Sequence, residues 1–265
     1  MNLWLAILAG WGVMIALMAA LWLLQRIRGD AGIVDVAWGT GVGVLGAFFC
    51  GVASDGDPTR RGLLAALILL WALRLSLHIA RRLLKMTEDG RYQTLKEQWG
   101  PKAQWLMFGF FQLQAFWSVL FALPILLAAT NPQSAMTTAD WVGLAIWGIA
   151  FLGESIADRQ LQRFRLDPAN RGKVCRAGLW RYSRHPNYFF EWIHWWAYVG
   201  FASGAPWGWL TLLGPTVMYF FLTRVTGIPP TEAQSLKSRG DAYRDYQRTT
   251  SVFFAWPPKI EEATR

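Results

Sequence analysis

The hydrophobic residues of this chain fall into seven long apolar runs separated by short polar segments. The runs cover residues 1–24, 33–52, 63–79, 105–129, 141–156, 188–202 and 207–222. Each approaches the roughly 20 apolar residues that an α-helix needs to cross a bilayer, although the sixth and seventh are short. The first has no small-residue cleavage site, so we expect a retained span. The pattern predicts an all-α, polytopic integral membrane protein with seven transmembrane helices.

Composition and charge strengthen this prediction and orient the helices. The chain is 54% hydrophobic and 16% charged, whereas soluble domains are about 25% charged. Lys and Arg concentrate after the first, third and fifth runs and in the C-terminal tail, and cytoplasmic loops carry such an excess. We therefore expect the N-terminus outside and the C-terminus in the cytoplasm, in a bacterial-type inner membrane. The net charge of +9 has the same explanation, so no nucleic-acid partner is expected.

Several ionisable side chains lie inside or beside the apolar runs, where a charge usually faces a cavity or a partner. Asp35 begins the second run, and Arg74 and His78 share one helix face in the third. Glu154 and Asp158 lie four residues apart at the end of the fifth. Each set could form a functional site or a structural polar contact, and both interpretations stay open.

The densest polar stretch directly precedes the sixth run. It is Leu179-Trp-Arg-Tyr-Ser-Arg-His-Pro-Asn-Tyr-Phe-Phe-Glu191. Pro186 can open a helix, because its missing N–H would have no partner in the first turn. Backbone N–H groups at such a helix start favour anions, so we predict a phosphate-binding site there. We expect His185, beside the proline, to be structural rather than catalytic.

Other nucleotide and metal motifs are missing from the sequence. There is no Walker loop, no Gly-x-Gly-x-x-Gly after a strand and no His-Glu-x-x-His. Cys50 and Cys175 are isolated, so neither a disulfide framework nor a metal site is expected. A bound nucleotide would therefore occupy a helical membrane cavity and not a Rossmann sheet.

Several segments carry a resemblance to a known family. Gly178-Leu-Trp-Arg-Tyr-Ser-Arg-His-Pro-Asn-Tyr188 resembles the signature of the membrane steroid 5α-reductase and sterol-reductase superfamily. Five further segments are similar to its bacterial branch, long described as a domain of unknown function. They are Asp35-Val-Ala-Trp-Gly39, Glu88-Asp-Gly-Arg-Tyr92, Gly227-Ile-Pro-Pro-Thr-Glu232, Arg239-Gly-Asp-Ala-Tyr-Arg-Asp-Tyr246 and Thr250-Ser-Val-Phe-Phe-Ala-Trp-Pro-Pro258. The resemblance covers nearly the whole chain, so we expect one seven-helix reductase domain over residues 1–265.

The resemblance implies an activity and its catalytic residues. The activity is NADPH-dependent reduction of the carbon–carbon double bond of a 3-oxo-Δ4 steroid or a similar lipophilic enone, by hydride transfer to the β-carbon. The family places a carboxylate on its second helix and a tyrosine on its third, near the substrate carbonyl. Asp35 matches the carboxylate. The third run has no tyrosine and offers Trp71 or His78 instead.

The resemblance also implies where NADPH binds, in the cytoplasmic half of the bundle, at about residues 141–258. Asn187 and Glu191 match the pair that holds the nicotinamide carboxamide and ribose. Asp158 would take an adenosine or ribose hydroxyl and Arg165 a phosphate, since a guanidinium matches phosphate oxygens bidentately. Glu154 replaces a family asparagine. Further contacts to the pyrophosphate or adenosine are expected from Arg184, Tyr188, Arg224, Glu232, Tyr243 and Tyr246.

Two other functions stay open. Isoprenylcysteine carboxyl methyltransferases share the Arg-His-Pro-x-Tyr core, so the chain could be a methyltransferase that uses S-adenosylmethionine. It could also be a non-enzymatic sterol- or lipid-binding protein that keeps the fold without turnover. We expect a monomer in contact with membrane lipid, whose apolar ligand arrives laterally from the bilayer.

Overall fold

A computed structural model describes residues 2–84 and 90–259, and within these ranges the protein is helical and contains no strand. Short 3-10 or π-helical turns join several of the α-helices. In chain order the α-helices are α1 (Leu3–Arg28), α2 (Ile33–Val52), α3 (Pro58–Leu83), α4 (Gly90–Trp99), α5 (Ala103–Ala129), α6 (Thr138–Leu166), α7 (Pro186–Phe201), α8 (Leu213–Phe220), α9 (Ile228–Arg239) and α10 (Asp241–Thr249). The predicted all-α class is confirmed.

Five helical segments of the described chain are long and apolar enough to cross a membrane. They match the first five predicted spans, and they are compatible with an integral membrane protein. The segments are Leu3–Arg28, Ile33–Val52, Pro58–Leu83, Gly90–Ala129, which joins α4 to α5, and Thr138–Leu166.

The last two predicted spans form shorter or less regular helices. α7 has 16 residues and is therefore roughly 24 Å long, whereas a bilayer core is about 30 Å thick. The seventh run is divided among a 3-10 segment (Gly208–Leu212), α8 and a π-helical turn (Phe221–Val225). The count of seven spans and the orientation of the termini stay predictions.

The chain divides into two compact units. Unit 1 comprises Met1–Asp140 and Phe201–Thr211, and unit 2 comprises Trp141–Gly200 and Leu212–Arg265. Unit 2 begins at the residue where the expected cofactor-binding half begins. The expectation of a single domain over residues 1–265 stays a prediction.

Glycines on α2 allow its neighbours in unit 1 to approach closely. A Cβ atom at Gly41 would lie 2.5 Å from Cε of Met14 on α1, and one at Gly43 would lie 2.2 Å from Cβ of Ala72 on α3. Small residues bring helix backbones together in this way in membrane proteins. The glycine-rich composition of the second run is therefore a packing feature.

A buried ion pair fixes one end of unit 1. Arg60, near the start of α3, and Asp140, near the start of α6, are both fully buried. Arg60 Nε and Nη2 donate to the two carboxylate oxygens of Asp140 over 2.7 and 2.8 Å. The guanidinium also donates to the carbonyl oxygens of Asn131, Gln133 and Ala135. These bonds tie the connection between α5 and α6 to the start of α3.

Replacing Asp140 by asparagine would remove the negative charge that compensates the buried guanidinium. We expect Asp140→Asn to lower the free energy of unfolding by about 3–5 kcal/mol, the usual cost of breaking one side of a buried ion pair. Denaturant unfolding of the detergent-solubilised protein, followed by circular dichroism, measures this change. Asp55→Asn is the matched control, because Asp55 is exposed. An equal loss in both variants would contradict the prediction.

Candidate functional site

The polar stretch before α7 is a tight turn that is fastened to α6. Gly178 has φ +60°, and a Cβ there would lie 2.4 Å from Gln160 Nε2, so no other residue fits without strain. The Leu179 backbone N–H donates to Gln160 Oε1 over 2.9 Å. Trp180 Nε1 donates to the carbonyl oxygen of Ala157, also over 2.9 Å. α7 then begins at Pro186, as the sequence predicts.

The carboxylate of Glu232, on α9, accepts hydrogen bonds from four side chains of unit 2. Its Oε1 accepts hydrogen bonds from Arg184 Nε at 2.7 Å and from His185 Nε2 at 3.1 Å. The Tyr243 hydroxyl donates to the same oxygen at 3.4 Å, and Gln247 Nε2 donates to Oε2 at 2.7 Å. Glu232 therefore ties the turn before α7 to α9 and α10. We call these five residues the Glu232 cluster.

The protonation states of this cluster follow from burial and hydrogen bonding. Burial favours the neutral form of Glu232, but the bonds from His185 and Arg184 outweigh it and lower the pKa of this carboxyl to about 2. Burial lowers the pKa of His185, so a neutral imidazole donates to the carboxylate. Burial and the charge of Glu232 raise the pKa of Tyr243 to about 12. At neutral pH the cluster holds one carboxylate and one guanidinium.

Other residues expected to contact the cofactor also make contacts inside unit 2. Arg184 Nη1 donates to the carbonyl oxygens of Gln247 and Thr250 at 3.0 and 2.6 Å. Tyr246 is buried and donates to the carbonyl oxygens of Trp180 and Ser183. In this structure Arg184, Glu232 and Tyr246 hold the tail against the turn. Their contacts with a nucleotide stay predictions.

Two further predicted cofactor residues are exposed, and one is stacked on the turn. Arg165 lies near the end of α6 and Arg224 lies in the π-helical turn, and both are exposed. The Tyr188 ring stacks on the His185 imidazole, with centroids 5.3 Å apart and planes 3° from parallel. The stacking supports the structural role expected for His185.

A second polar group lies where α6 and α7 face each other. Asn187 Nδ2 donates to Asp158 Oδ1 over 3.2 Å. Asn187 Oδ1 is buried and has no hydrogen-bond partner in the described part of the chain. Glu191, one turn further along α7, is 7% exposed and accepts a bond from Trp195 Nε1 at 3.1 Å. A buried amide oxygen without a donor costs about 1–3 kcal/mol, so this position favours a ligand that brings an N–H or O–H group.

Buried polar residues continue along the same two helices. Glu154, on α6, is 6% exposed, and His194, on α7, is 1% exposed. The Trp147 ring lies 6.3 Å from the His194 ring, between centroids, while Asp158 contacts Asn187. Because the earlier residue of α6 contacts the later residue of α7, the two helices run antiparallel. The same register places Glu154 opposite Glu191. Glu154, expected from the resemblance to replace an asparagine, is therefore a buried carboxyl group, and its correspondence to that asparagine stays a prediction.

Asp35, the predicted catalytic carboxylate, is hydrogen bonded within unit 1. The Tyr92 hydroxyl donates to Asp35 Oδ1 at 2.7 Å, and Arg91 Nη2 donates to Oδ2 at 2.9 Å. Tyr92 is 3% exposed, and its ring packs edge-on against Phe110 on α5. The carboxylate is therefore oriented by one phenol and one guanidinium, both on α4.

Sequence reasoning missed Tyr92 as a site residue. The segment Glu88-Asp-Gly-Arg-Tyr92 belongs to the resemblance, but the resemblance places the tyrosine on the third helix and not in this polar segment. Residues 88 and 89 lie outside the described part of the chain. Of the two residues named instead, Trp71 is buried against the edge of the Trp38 ring, and His78 is exposed on α3. The roles of Trp71 and His78 stay predictions.

The described chain is all-α, and its five long apolar helical segments are compatible with an integral membrane protein. The chain belongs to the family described as "protein of unknown function (DUF1295)", whose profile matches residues 21–250. An uncharacterized protein of Schizosaccharomyces pombe is 27% identical over 238 residues. The match covers 78% of this chain and 66% of the relative, just under two thirds of its length. No solved structure matches the chain.

The low pKa of Glu232 predicts an acid-dependent stability. A carboxyl whose folded pKa is about 2, against an ordinary value of 4.5, stabilises the fold fully above pH 4.5. This contribution, at most a few kcal/mol, is lost as the pH falls toward 2. We expect Glu232→Gln to lower the melting temperature at neutral pH and to flatten its decline over that range. Melting curves at several pH values measure both effects.

Asp241→Asn is the control, because Asp241 is exposed and pairs only with Arg244 in the described chain. Its melting curves should match those of the wild type. A Glu232→Gln protein with an unchanged acid profile would contradict the assignment.

Proposed function

We propose that this protein is an NADPH-dependent reductase of the carbon–carbon double bond of a 3-oxo-Δ4 steroid or a similar lipophilic enone. One observation carries the proposal, the hydrogen bond from the Tyr92 hydroxyl to Asp35 Oδ1. A paired carboxylate and tyrosine is the combination that the resemblance to steroid 5α-reductases requires at the substrate carbonyl. In the proposal, Tyr92 takes the role for which the third run offers Trp71 or His78.

The chemistry explains why such a pair is needed. Hydride addition to the β-carbon of an enone leaves negative charge on the carbonyl oxygen, which a positioned donor stabilises. Tyr92 is the donor in our proposal: Asp35 positions its hydroxyl in the free protein, and the single hydroxyl proton turns from Asp35 to the carbonyl oxygen when the enone binds. Arg91 pairs with the second carboxylate oxygen at 2.9 Å and keeps the carboxylate fixed. The α-carbon then takes its proton from water.

The residues around α6 and α7 fit the nicotinamide end of NADPH. Bound NADPH would supply the hydride. The buried Asn187 Oδ1 has no donor in the described chain and would accept from the carboxamide amide group. Glu191, one turn along, offers a further acceptor, and Asp158 can accept from a ribose or adenosine hydroxyl. The exposed Arg165 and Arg224 carry positive charge that suits the phosphates, including the 2′-phosphate.

A nucleotide-binding measurement tests the cofactor part of the proposal. We expect NADPH to raise the melting temperature of the detergent-solubilised protein, since a ligand of the folded state stabilises it. Glu191→Gln should reduce that rise, because it removes an acceptor charge. Asp167→Asn, in the exposed connection after α6, is the matched control and should bind as the wild type does. A rise with S-adenosylmethionine and none with NADPH would favour the methyltransferase.

Turnover tests the role of the carboxylate–tyrosine pair. We expect Tyr92→Phe to lower kcat by about 100-fold or more, the usual cost of losing one donor to a developing oxyanion. Asp35→Asn should lower kcat as well, because the Tyr92 hydroxyl loses the carboxylate that positions it. The rise in melting temperature with NADPH should stay unchanged in both. The assay follows the dihydro product of progesterone, and of non-steroid enones, by mass spectrometry. Tyr182→Phe is the control, since Tyr182 is 42% exposed.

Two results would contradict the proposal. Wild-type rates in the Asp35→Asn protein would remove the carboxylate from the mechanism. No turnover of any enone, with NADPH still bound, would favour the non-enzymatic binding protein.

A further inference from the structure

Unit 2 carries an apolar groove along one side of α6. It has a volume of about 450 Å³ and is lined by Ile149, Leu152, Gly153, Ile156, Gln160, Gly178, Leu179 and Phe190. This volume falls within the roughly 300–1,000 Å³ typical of ligand sites. The five lining residues from α6 follow the i, i+3, i+4, i+7, i+11 pattern of one helix face. Asp158, two residues from both Ile156 and Gln160, belongs to the opposite face.

Two glycines shape the groove. A Cβ at Gly153 would lie 2.4 Å from the Phe190 ring, so the missing side chain lets that ring form the floor. Gly178 leaves a similar gap beside Gln160. The walls are exposed apolar side chains, with Ile149 at 60% and Leu152 at 61%. In a membrane such a surface faces lipid chains.

The dimensions of the groove match one acyl chain. From Ile149 to Gln160 the helix rises by roughly 16 Å at 1.5 Å per residue. One leaflet of a bilayer core, half of about 30 Å, has nearly the same thickness. The groove is therefore long enough to hold the part of an acyl chain that crosses one leaflet.

The groove becomes polar and basic at the end that Gln160 forms. The Gln160 Nε2 group lies against Gly178 there, while Oε1 accepts from the Leu179 backbone. Arg163, three residues further along the same face of α6, is exposed, and so is Arg159, one turn before it. Asp167, the nearest acid on this side of the helix, accepts bonds from Ala169 and Asn170. The end of the groove thus offers donors and positive charge to an anion.

We propose that this groove binds one anionic phospholipid, with an acyl chain along α6 and its phosphate held by Arg163 and the side-chain amide of Gln160. The apolar walls select a chain, and the basic end selects a negatively charged head group. A guanidinium can bind two phosphate oxygens at once, so Arg163 is the main contact. The site lies apart from Asp35 and Tyr92 in sequence, and its use requires no nucleotide and no turnover.

Native mass spectrometry of the detergent-solubilised protein tests the site. Three probes are titrated: phosphatidylglycerol, phosphatidylcholine with the same acyl chains, and glycerol phosphate without a chain. We expect phosphatidylglycerol to bind more tightly than either of the others. Arg163→Gln should weaken its binding about tenfold, since a charge-assisted hydrogen bond contributes on that order. Ile156→Trp should weaken it as well, because the larger side chain fills the groove.

The control is Arg171→Gln, which removes the same charge from an exposed position outside the groove. Phosphatidylglycerol should bind this variant as it binds the wild type. Equal losses in Arg163→Gln and Arg171→Gln would mean a diffuse attraction to basic loops and would overturn the proposal. Equal affinity for phosphatidylcholine, or tight binding of glycerol phosphate, would overturn it too. Arg163 is exposed, so its replacement does not endanger folding.

Discussion

The carboxylate of Glu232 is the group on which the arrangement of unit 2 depends. It lies 48 residues after Arg184 in sequence, yet it accepts bonds from Arg184 and from His185 beside Pro186, where α7 begins. Through Tyr243 and Gln247 the same carboxylate also holds α10. Because Asn187 follows directly in the first turn of α7, its position depends on this cluster. The Arg-His-Pro turn therefore positions the start of α7, and with it Asn187, through hydrogen bonds to Glu232 inside the protein.

The sequence predicted the parts of the fold that depend on local composition. The long apolar runs predicted α1, α2, α3, α5 and α6, and the missing N–H of Pro186 predicted that α7 starts at that residue. The division of the seventh run into 3-10, α and π segments depends on contacts that hydropathy does not encode. Two residues of this run, Gly214 and Pro215, are both buried in α8, which fits a helix shaped by packing.

The candidate site could be predicted only where a residue type carries its own chemistry. Asp35, Asn187 and Glu191 stand out because polar groups are costly beside apolar runs. Tyr92 does not stand out, because a tyrosine in a polar segment is ordinary until its hydroxyl is found 2.7 Å from Asp35. The resemblance singled out Glu232, but it did not predict the partners of this carboxylate, which come from α10 and from the turn before α7. The spacing of residue types along the chain does not show which residues that are far apart in sequence contact each other.

The Arg60 network has a consequence for how this protein can change during evolution. The guanidinium uses five hydrogen bonds, two to the Asp140 carboxylate and three to backbone carbonyl oxygens. A lysine, with a single ammonium group, cannot match that planar set of five bonds. Every residue has a carbonyl oxygen, whatever its side chain. The three carbonyl bonds therefore constrain the path of residues 131–135 and not their side chains, except at Asn131, whose side-chain amide donates to the carbonyl oxygens of Phe201 and Ser203.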